Sequence, residues 1–145
     1  MKISTKGRYA LRMLYDLGQN QSEGYIALKD IAERQGVSKK YLEQIVPSLN
    51  KAGILRASRG FQGGYRLSKP PAEYTVGDIL RIMEGSLAPV ACLENDPVKC
   101  VRSGDCATLP VWQGLSKVIN EYLDSVTLQD MLDSRVLGGC EDYMI

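Results

Sequence analysis

The chain has 145 residues, of which 44% are apolar and 24% charged, a composition typical of one soluble globular domain. No run approaches the roughly 18 apolar residues of a membrane helix, and the charged N-terminal segment lacks the apolar core of a signal peptide. We therefore expect a cytoplasmic protein, in which clustered cysteines bind metal or do redox chemistry more often than they form disulfides. The chain has no histidine and no evident nucleophile–base pair, which argues against an enzyme.

The two halves of the chain carry opposite charge. Residues 1–69 contain 13 Lys/Arg and 5 Asp/Glu, whereas residues 70–145 contain 5 and 12. The excess of positive charge on the first half favours an anionic partner such as nucleic acid. Salt bridges between the halves are the alternative, which the charge pattern leaves open.

Three helices are predicted in the first half. Apolar positions in residues 6–18 recur with helical spacing, and a second helix is predicted over residues 28–35. Ser38 is a typical N-cap for a third helix to about residue 52, in which Pro47 predicts a kink. The short turn between the second and third helices is typical of a helix-turn-helix.

A β-hairpin is predicted directly after the third helix. Two short strands, at residues 54–59 and 65–67, flank a glycine-rich turn. A hairpin in this position is the wing of a winged helix-turn-helix. We therefore predict a mainly α fold with a small β-hairpin wing, in which residues 1–69 form the DNA-binding domain.

Residues 70–145 are predicted to hold a loop that carries cysteines, followed by dimerisation helices. The loop spans residues 85–109, and Pro110 suits the first turn of a long helix behind it. Pairs with capping-box spacing begin the helices on either side, at Thr75–Asp78 and Thr127–Asp130. The long helix has a wide apolar face, which either a second copy of the chain or the first helix could cover.

The candidate DNA contacts lie on the third helix and on the wing. Lysines at the start of the helix could contact phosphates or guanine, while Glu43 suits cytosine and Gln44 suits adenine. Arg59 at the wing tip could enter a narrow minor groove. The predicted set is Ser38, Lys39, Lys40, Tyr41, Glu43, Gln44, Arg59 and Gly60. An ordinary solvated helix face and a plain surface hairpin are the alternatives.

Cys92, Cys100 and Cys106 are the candidate metal ligands. Soft thiolates select zinc, copper(I) or iron–sulfur clusters. Structural zinc usually has a CxxC knuckle, so the longer spacings here favour a cluster, with zinc and redox thiols as alternatives. The fourth ligand is open, and its candidates are Asp105, Asp96, Glu94, Cys140, an exogenous thiol and a residue of a partner subunit.

Residues 1–11, 30–38, 41–44 and 59–65 resemble, in this order, the family of winged-helix regulators that includes IscR, NsrR and CymR. The likeness extends through the cysteine loop to the last predicted helix. It implies a dimeric transcription factor that binds a palindromic operator. In the IscR and NsrR branches it also implies an iron–sulfur cluster on the three loop cysteines, and likeness to IscR favours a 2Fe-2S over a 4Fe-4S cluster.

The chain departs from this family at two ligand positions, and it shares one further feature with a single branch. Leu109 replaces the histidine of IscR-like members, and Arg8 replaces the aspartate of NsrR-like members.

The final residues, 142–145, resemble the CymR tail and suggest a contact with cysteine synthase. The alternative function is therefore a CymR-like repressor of cysteine metabolism that uses redox thiols, and Cys140 is interpreted as an incidental thiol of the tail.

Overall fold

The computed structural model describes residues 1–133, which are mainly helical with one two-stranded antiparallel hairpin, as predicted. Cys140 and the tail at residues 142–145 lie outside the described residues. The elements are α1 (Thr5–Gln19), α2 (Leu28–Gln35), α3 (Lys39–Lys51), β1 (Leu55–Ser58), β2 (Gly64–Leu67), α4 (Val76–Glu84), α5 (Leu109–Ser125) and α6 (Leu128–Leu132).

The predicted capping residues begin three of these helices. Ser38 Oγ accepts a hydrogen bond from the Tyr41 backbone N–H (3.0 Å) at the start of α3. Reciprocal capping boxes begin α4 and α6, at Thr75–Asp78 and Thr127–Asp130. The α3 helix is continuous through the exposed Pro47. Local sequence signals therefore set where α3, which carries candidate DNA contacts, and the helices α4 and α6 begin.

Helix α1 lies at the centre of the core. It packs against α2, α3 and β2 on the helix-turn-helix side and against α4 and α6 on the other side. Burying one large aliphatic side chain contributes about 1.5–3 kcal/mol, so this shared core holds both halves together. Its fully buried apolar side chains are Met13, Leu14, Leu17, Ile31, Leu42, Ile45, Leu49, Ile79 and Leu128.

The hairpin has one buried and one exposed face. Leu55 pairs with Leu67, and both are buried against the core, whereas the next pair, Arg56 and Arg66, is exposed. At the base of β2, a Cβ on Gly64 would lie 2.2 Å from the Ile26 carbonyl oxygen. Only glycine fits there, because the neighbouring Tyr65 exchanges two backbone hydrogen bonds with Ile26, in the segment before α2, and this brings the two backbones close together.

A charged pair ties α5 to α4. The Arg81 guanidinium donates hydrogen bonds to both carboxylate oxygens of Asp124 (2.7 and 3.0 Å) and to Asn120 Oδ1 (2.6 Å). The hydrogen bond to Asp124 raises the pKa of Arg81, so the guanidinium stays charged. A Cβ on Gly77 would lie 2.1 Å from Asp124 Oδ1, so glycine lets the two helices approach.

Most of the apolar face of α5 is exposed. Four of its side chains are 43–62% exposed: Val111, Leu115, Val118 and Tyr122. Trp112, in the second turn, is half-buried. Near the end of the helix, Leu123 packs against a small cluster of buried side chains from α4 and the following loop. The helix is thus packed on the domain at one end, and the rest of its apolar face is uncovered by any described residue. No helix within residues 1–133 has the length and apolar character needed to cross a membrane.

Candidate nucleic-acid interface and cysteine loop

The N-terminal half of α3 exposes most of the residues that were predicted to contact DNA. The exposed side chains are Ser38, Lys39, Lys40, Glu43 and Gln44. The opposite face of the helix is buried. Lys39 Nζ lies 3.7 Å from Glu43 Oε1, and both side chains are more than half exposed. Such an exposed pair contributes little to stability, so either charge is available to another partner.

Tyr41 differs from these neighbours because it is half-buried. Its ring meets that of Tyr9 edge-to-face, with ring centroids 5.1 Å apart and an interplanar angle of 75°. The Arg12 guanidinium lies 5.6 Å from the Tyr9 ring centroid. The Tyr41 ring therefore packs α3 against α1, and a contact between Tyr41 and DNA stays a prediction.

A buried carboxylate joins α1 to α2. Asp16 is 1% exposed and is the one buried charged side chain among those described. Arg34 Nη2 donates to Asp16 Oδ1 (2.6 Å) and its Nε donates to Oδ2 (3.0 Å), while Gln35 Nε2 also donates to Oδ2 (3.1 Å). This network was not predicted from the sequence. Its one signal is an acidic residue between Met13 and Leu17 on the apolar stripe of α1.

The wing tip presents Arg59 and Gly60 to solvent, as predicted. Gly60 has a φ of +103°, which favours glycine, and a Cβ on Gly63 would lie 2.3 Å from the Ser58 carbonyl oxygen. Phe61, between these glycines, is fully exposed, and it was not predicted as a functional residue. Phe61 therefore stands beside the predicted DNA contacts Arg59 and Gly60 in the wing tip.

The three loop cysteines are free thiols on the surface. Cys92 and Cys100 are exposed and Cys106 is partly exposed. Within residues 1–133, no three His, Cys, Asp or Glu side chains stand close enough together to hold a metal ion. The structure therefore does not bring the predicted ligands together, nor does it add Glu94, Asp96 or Asp105 to them.

The backbone hydrogen bonds between Cys92 and Cys106 are local. They join residues three apart, for example Leu93 to Val90, Ser103 to Cys100 and Leu109 to Cys106. No buried apolar side chain lies between Cys92 and Cys106. The conformation of this segment is therefore not dictated by the core, which leaves room for a ligand to reorganise it.

Cys106 lies just before α5 and is the best prepared of the three for ligation. Its Sγ lies 3.4 Å from Thr108 Oγ1. The hydrogen bond with the Thr108 hydroxyl lowers the pKa of Cys106, and the backbone N–H groups of Thr108 and Leu109 lower it further. Since the thiolate is the form that binds metal or attacks a disulfide, these contacts favour the reactive form.

The start of the loop is anchored to the N-terminal end of α1. Glu84, the last residue of α4, bonds to Ser4, which caps α1. Leu87 is buried beside Leu80, and Ile3 packs against the same cluster. The segment that leads to the cysteines therefore contacts the helix that also supports α2 and α3.

Comparison with known proteins places these features among transcriptional regulators. A family model described as "Rrf2: Iron-dependent Transcriptional regulator" matches residues 3–134. The HTH-type transcriptional regulator CymR of Bacillus subtilis is 41% identical over 99% of this chain and 98% of its own length. The solved structure of T. potens IscR is 44% identical, with a TM-score of 0.74 over 93% of this chain and 88% of that one. The structure of B. subtilis CymR, titled the global cysteine regulator, is 40% identical, with a TM-score of 0.76 over 92% and 98% of the two chains.

Proposed function

The chain belongs to the Rrf2 family of transcriptional regulators, and we propose that it is a homodimer whose operator binding is controlled by an iron–sulfur cluster on Cys92, Cys100 and Cys106. Its relatives are regulators that act on DNA, so it is not an enzyme. We assign DNA binding to residues 1–69, and cluster binding and dimerisation to residues 70–145.

DNA binding is assigned to the exposed face of α3 and to the wing. The polar side chains of α3 project from a helix whose other face is fixed in the core, which is the arrangement that major-groove recognition requires. We propose that Lys39 and Lys40 contact phosphate or guanine, and that Glu43 and Gln44 contact base edges. Arg59 and Gly60 would lie in the adjacent minor groove.

The observation that carries the cluster proposal is a surface loop with three free thiols. No buried apolar side chain lies between the first and the last of them to fix the loop to the core. Thiolates are the ligands that iron–sulfur clusters use, and the lowered pKa of Cys106 favours that form. The description of the family as iron-dependent and the likeness to IscR add support. When bound, a cluster supplies a centre that oxidants can alter or remove, and likeness to IscR favours two irons.

A path for the signal runs from the loop to the DNA-binding surface through α1. Glu84 holds the N-terminal cap of α1 at Ser4. About one turn along the same helix, Tyr9 contacts Tyr41 of α3, and about two turns further on, Asp16 binds Arg34 of α2. A change in the order of the loop would therefore act on the helix that orients the reading residues. The signal exists only if ligation prefers one of two arrangements of that helix.

We assign the exposed face of α5 to the dimer interface. Val111, Leu115, Val118 and Tyr122 form a continuous apolar stripe on one face of a helix of 17 residues. A second copy of the chain would cover this stripe and would place two recognition helices at half-sites about 34 Å apart. This arrangement fits a palindromic operator.

The second candidate is a CymR-like regulator of cysteine metabolism. It is favoured by the similarity to CymR along nearly the whole chain and by the separation of the three thiols in the structure. In this function the cysteines act as redox thiols, and the tail at residues 142–145 contacts cysteine synthase.

Anaerobic purification followed by iron, sulfide and visible-absorbance analysis tests the main proposal. We expect bound iron and sulfide, with both lost when Cys92, Cys100 or Cys106 is singly replaced by serine and retained in Ser103→Ala, a control in the same loop. Duplexes selected from a random library should bind the loaded and cluster-free forms with different affinity at one fixed salt concentration. Protein without iron, whose DNA affinity responds to thiol oxidation or to added cysteine synthase, would support the CymR-like function instead.

A further inference from the structure

Phe61 is the one phenylalanine of the chain, and its side chain is fully exposed at the wing tip. Exposing a whole aromatic side chain to water forgoes the free energy that burial would provide. An open groove lies between the wing tip and the start of α2, and Phe61 lines one edge of it together with Tyr25, Asp30 and Gln62. The Phe61 ring does not fold into this groove. No residue of the described part of the chain covers its apolar surface.

The hairpin that carries Phe61 is built for an anionic partner. Arg56 and Arg66 lie directly opposite each other in the strand register, and both are exposed. Like charges at such positions destabilise a hairpin unless an opposite charge neutralises them. No acidic side chain that the structure describes pairs with either arginine or with Arg59, and Arg66 lies over the Tyr25 ring, 5.6 Å from its centroid. A DNA duplex offers phosphates to the three arginines and base faces to the Phe61 ring, so one partner could contact all four side chains.

We propose that Phe61 inserts beside Arg59 into the minor groove of the operator and acts as an apolar wedge at one base step. This inference rests on the proposed DNA-binding function and adds a specificity-determining residue to it. Apolar side chains that enter the minor groove partly unstack a base step and bend the duplex. Because the ring has no hydrogen-bonding group, it would select for steps that open easily, such as pyrimidine–purine steps, and not for a particular base edge.

The geometry of the turn suits insertion. Gly60 carries no side chain immediately before Phe61, and Gly63 carries none two residues after it, while the exposed Gln62 lies between Phe61 and Gly63. Arg59, one residue before Gly60, is placed to accompany the ring with a positive charge. The wing therefore offers a narrow tip with an apolar ring and a cationic flank, which suits entry between two stacked bases in a groove edged by phosphates.

The test uses full-length wild-type, Phe61→Ala, Arg59→Ala and the control Gln62→Ala, with duplexes of about 30 base pairs selected by the wild-type protein from a random library. We expect Phe61→Ala to weaken binding at least about tenfold at every salt concentration, with an unchanged slope of log affinity against log salt, because no charge is lost. Arg59→Ala should reduce that slope. Gln62→Ala should change neither quantity.

Insertion itself is tested with 2-aminopurine placed at successive steps of the selected duplex. Binding of wild-type protein should raise the emission at one step in each half-site, and binding of Phe61→Ala should not. Wild-type affinity in Phe61→Ala, or an emission that wild-type protein leaves unchanged at every step, would overturn the wedge. Failure of wild-type protein to select any duplex would instead overturn the proposed DNA-binding function. Equal melting temperatures of the variants would show that the fold is intact.

Discussion

Glu84 Oε1 accepts two hydrogen bonds from Ser4, one from its backbone N–H (2.9 Å) and one from its hydroxyl (2.7 Å). The same hydroxyl accepts a hydrogen bond from the Gly7 backbone N–H (3.2 Å) and so caps α1. One carboxylate thus links the residue before the cysteine loop to the first turn of the central helix. These partners are 80 residues apart in the chain.

Replacing Glu84 by alanine should lower the stability of the fold and weaken the coupling between the cysteine loop and DNA binding. Loss of two charge-assisted hydrogen bonds is expected to lower the free energy of unfolding by about 1–3 kcal/mol, as measured by urea denaturation. If the loop acts through α1, the ratio of operator affinities between loaded and cluster-free protein should also fall toward one. The matched control is Glu73→Ala, an exposed acidic residue after the wing. A variant that keeps the wild-type affinity ratio would show that the signal takes another path.

Removing Arg34 should destabilise the fold more than removing both members of its pair with Asp16. Arg34→Ala leaves a carboxylate that is 1% exposed with only amide donors, at an expected loss of about 3 kcal/mol. The double variant Asp16→Leu/Arg34→Met should recover much of that loss, because a well-packed apolar pair has no charge to desolvate. Chemical denaturation at pH 7 measures both. If the single and the double variant are equally destabilised, the unpaired buried carboxylate is not the cause of the loss of stability in Arg34→Ala.

Val118→Asp should convert the proposed dimer into a folded monomer. The side chain is 62% exposed in the single chain, so aspartate fits the fold of one copy but would place a charge inside the interface. Analytical ultracentrifugation measures the mass, and circular dichroism checks that helicity is retained. Gln113→Asp adds the same charge on the opposite face of α5 and should remain dimeric. A dimeric Val118→Asp protein would mean that this face is not the interface.

Cys106 should react with iodoacetamide at a lower pH in the wild-type protein than in Thr108→Val. The Thr108 hydroxyl is the main cause of the lowered pKa of Cys106, so its removal should shift the alkylation profile to higher pH. The Thr108 side chain makes no capping hydrogen bond to α5, so the helix should be unaffected. Peptide mass spectrometry on cluster-free protein follows Cys106 apart from the other thiols. Superimposable profiles would show that the hydroxyl does not act on the thiol.

Lys40→Ala and Gln44→Ala should weaken DNA binding in different ways. Loss of a phosphate contact at Lys40 should lower affinity for all duplexes and reduce the salt slope by about one for each copy that binds. Loss of a bidentate base contact at Gln44 should remove about 1–3 kcal/mol of preference at one position of each half-site and leave the slope unchanged. Competition between selected and random duplexes over a salt series measures both effects. Identical behaviour of the two variants would contradict the assigned roles.

The helices and the wing were predictable because their signals are local. The α2 helix and both capping boxes lie where short-range spacing placed them, since a cap or a turn depends on residues three or four apart. The exposed polar face of α3 follows in the same way from helical periodicity. The extent to which α5 packs back on the domain could not be read in this way. Its apolar positions were visible, but which of them are covered depends on the tertiary arrangement.

The contacts that connect the two halves were not predictable, because they join residues that only the fold brings together. Asp16 and Arg34 are 18 residues apart, and Ser4 and Glu84 are 80 apart. The cysteine spacing led to the prediction of a cluster but could not give the distances between the thiols. An exposed loop has no periodic structure that would fix those distances. Phe61 was visible in the turn, but its complete exposure was not, because many turn aromatics fold back onto their own hairpin.

Trp112 is the only tryptophan of the chain, and it lies six residues after Cys106 in the second turn of α5. Because Trp112 is so near Cys106 along the chain, a cluster bound to that thiol would absorb the indole emission and quench it. In that case the unlabelled protein would report cluster occupancy through its own fluorescence. Loss of the proposed cluster under air would then appear as a rise in emission, in real time and without a dye.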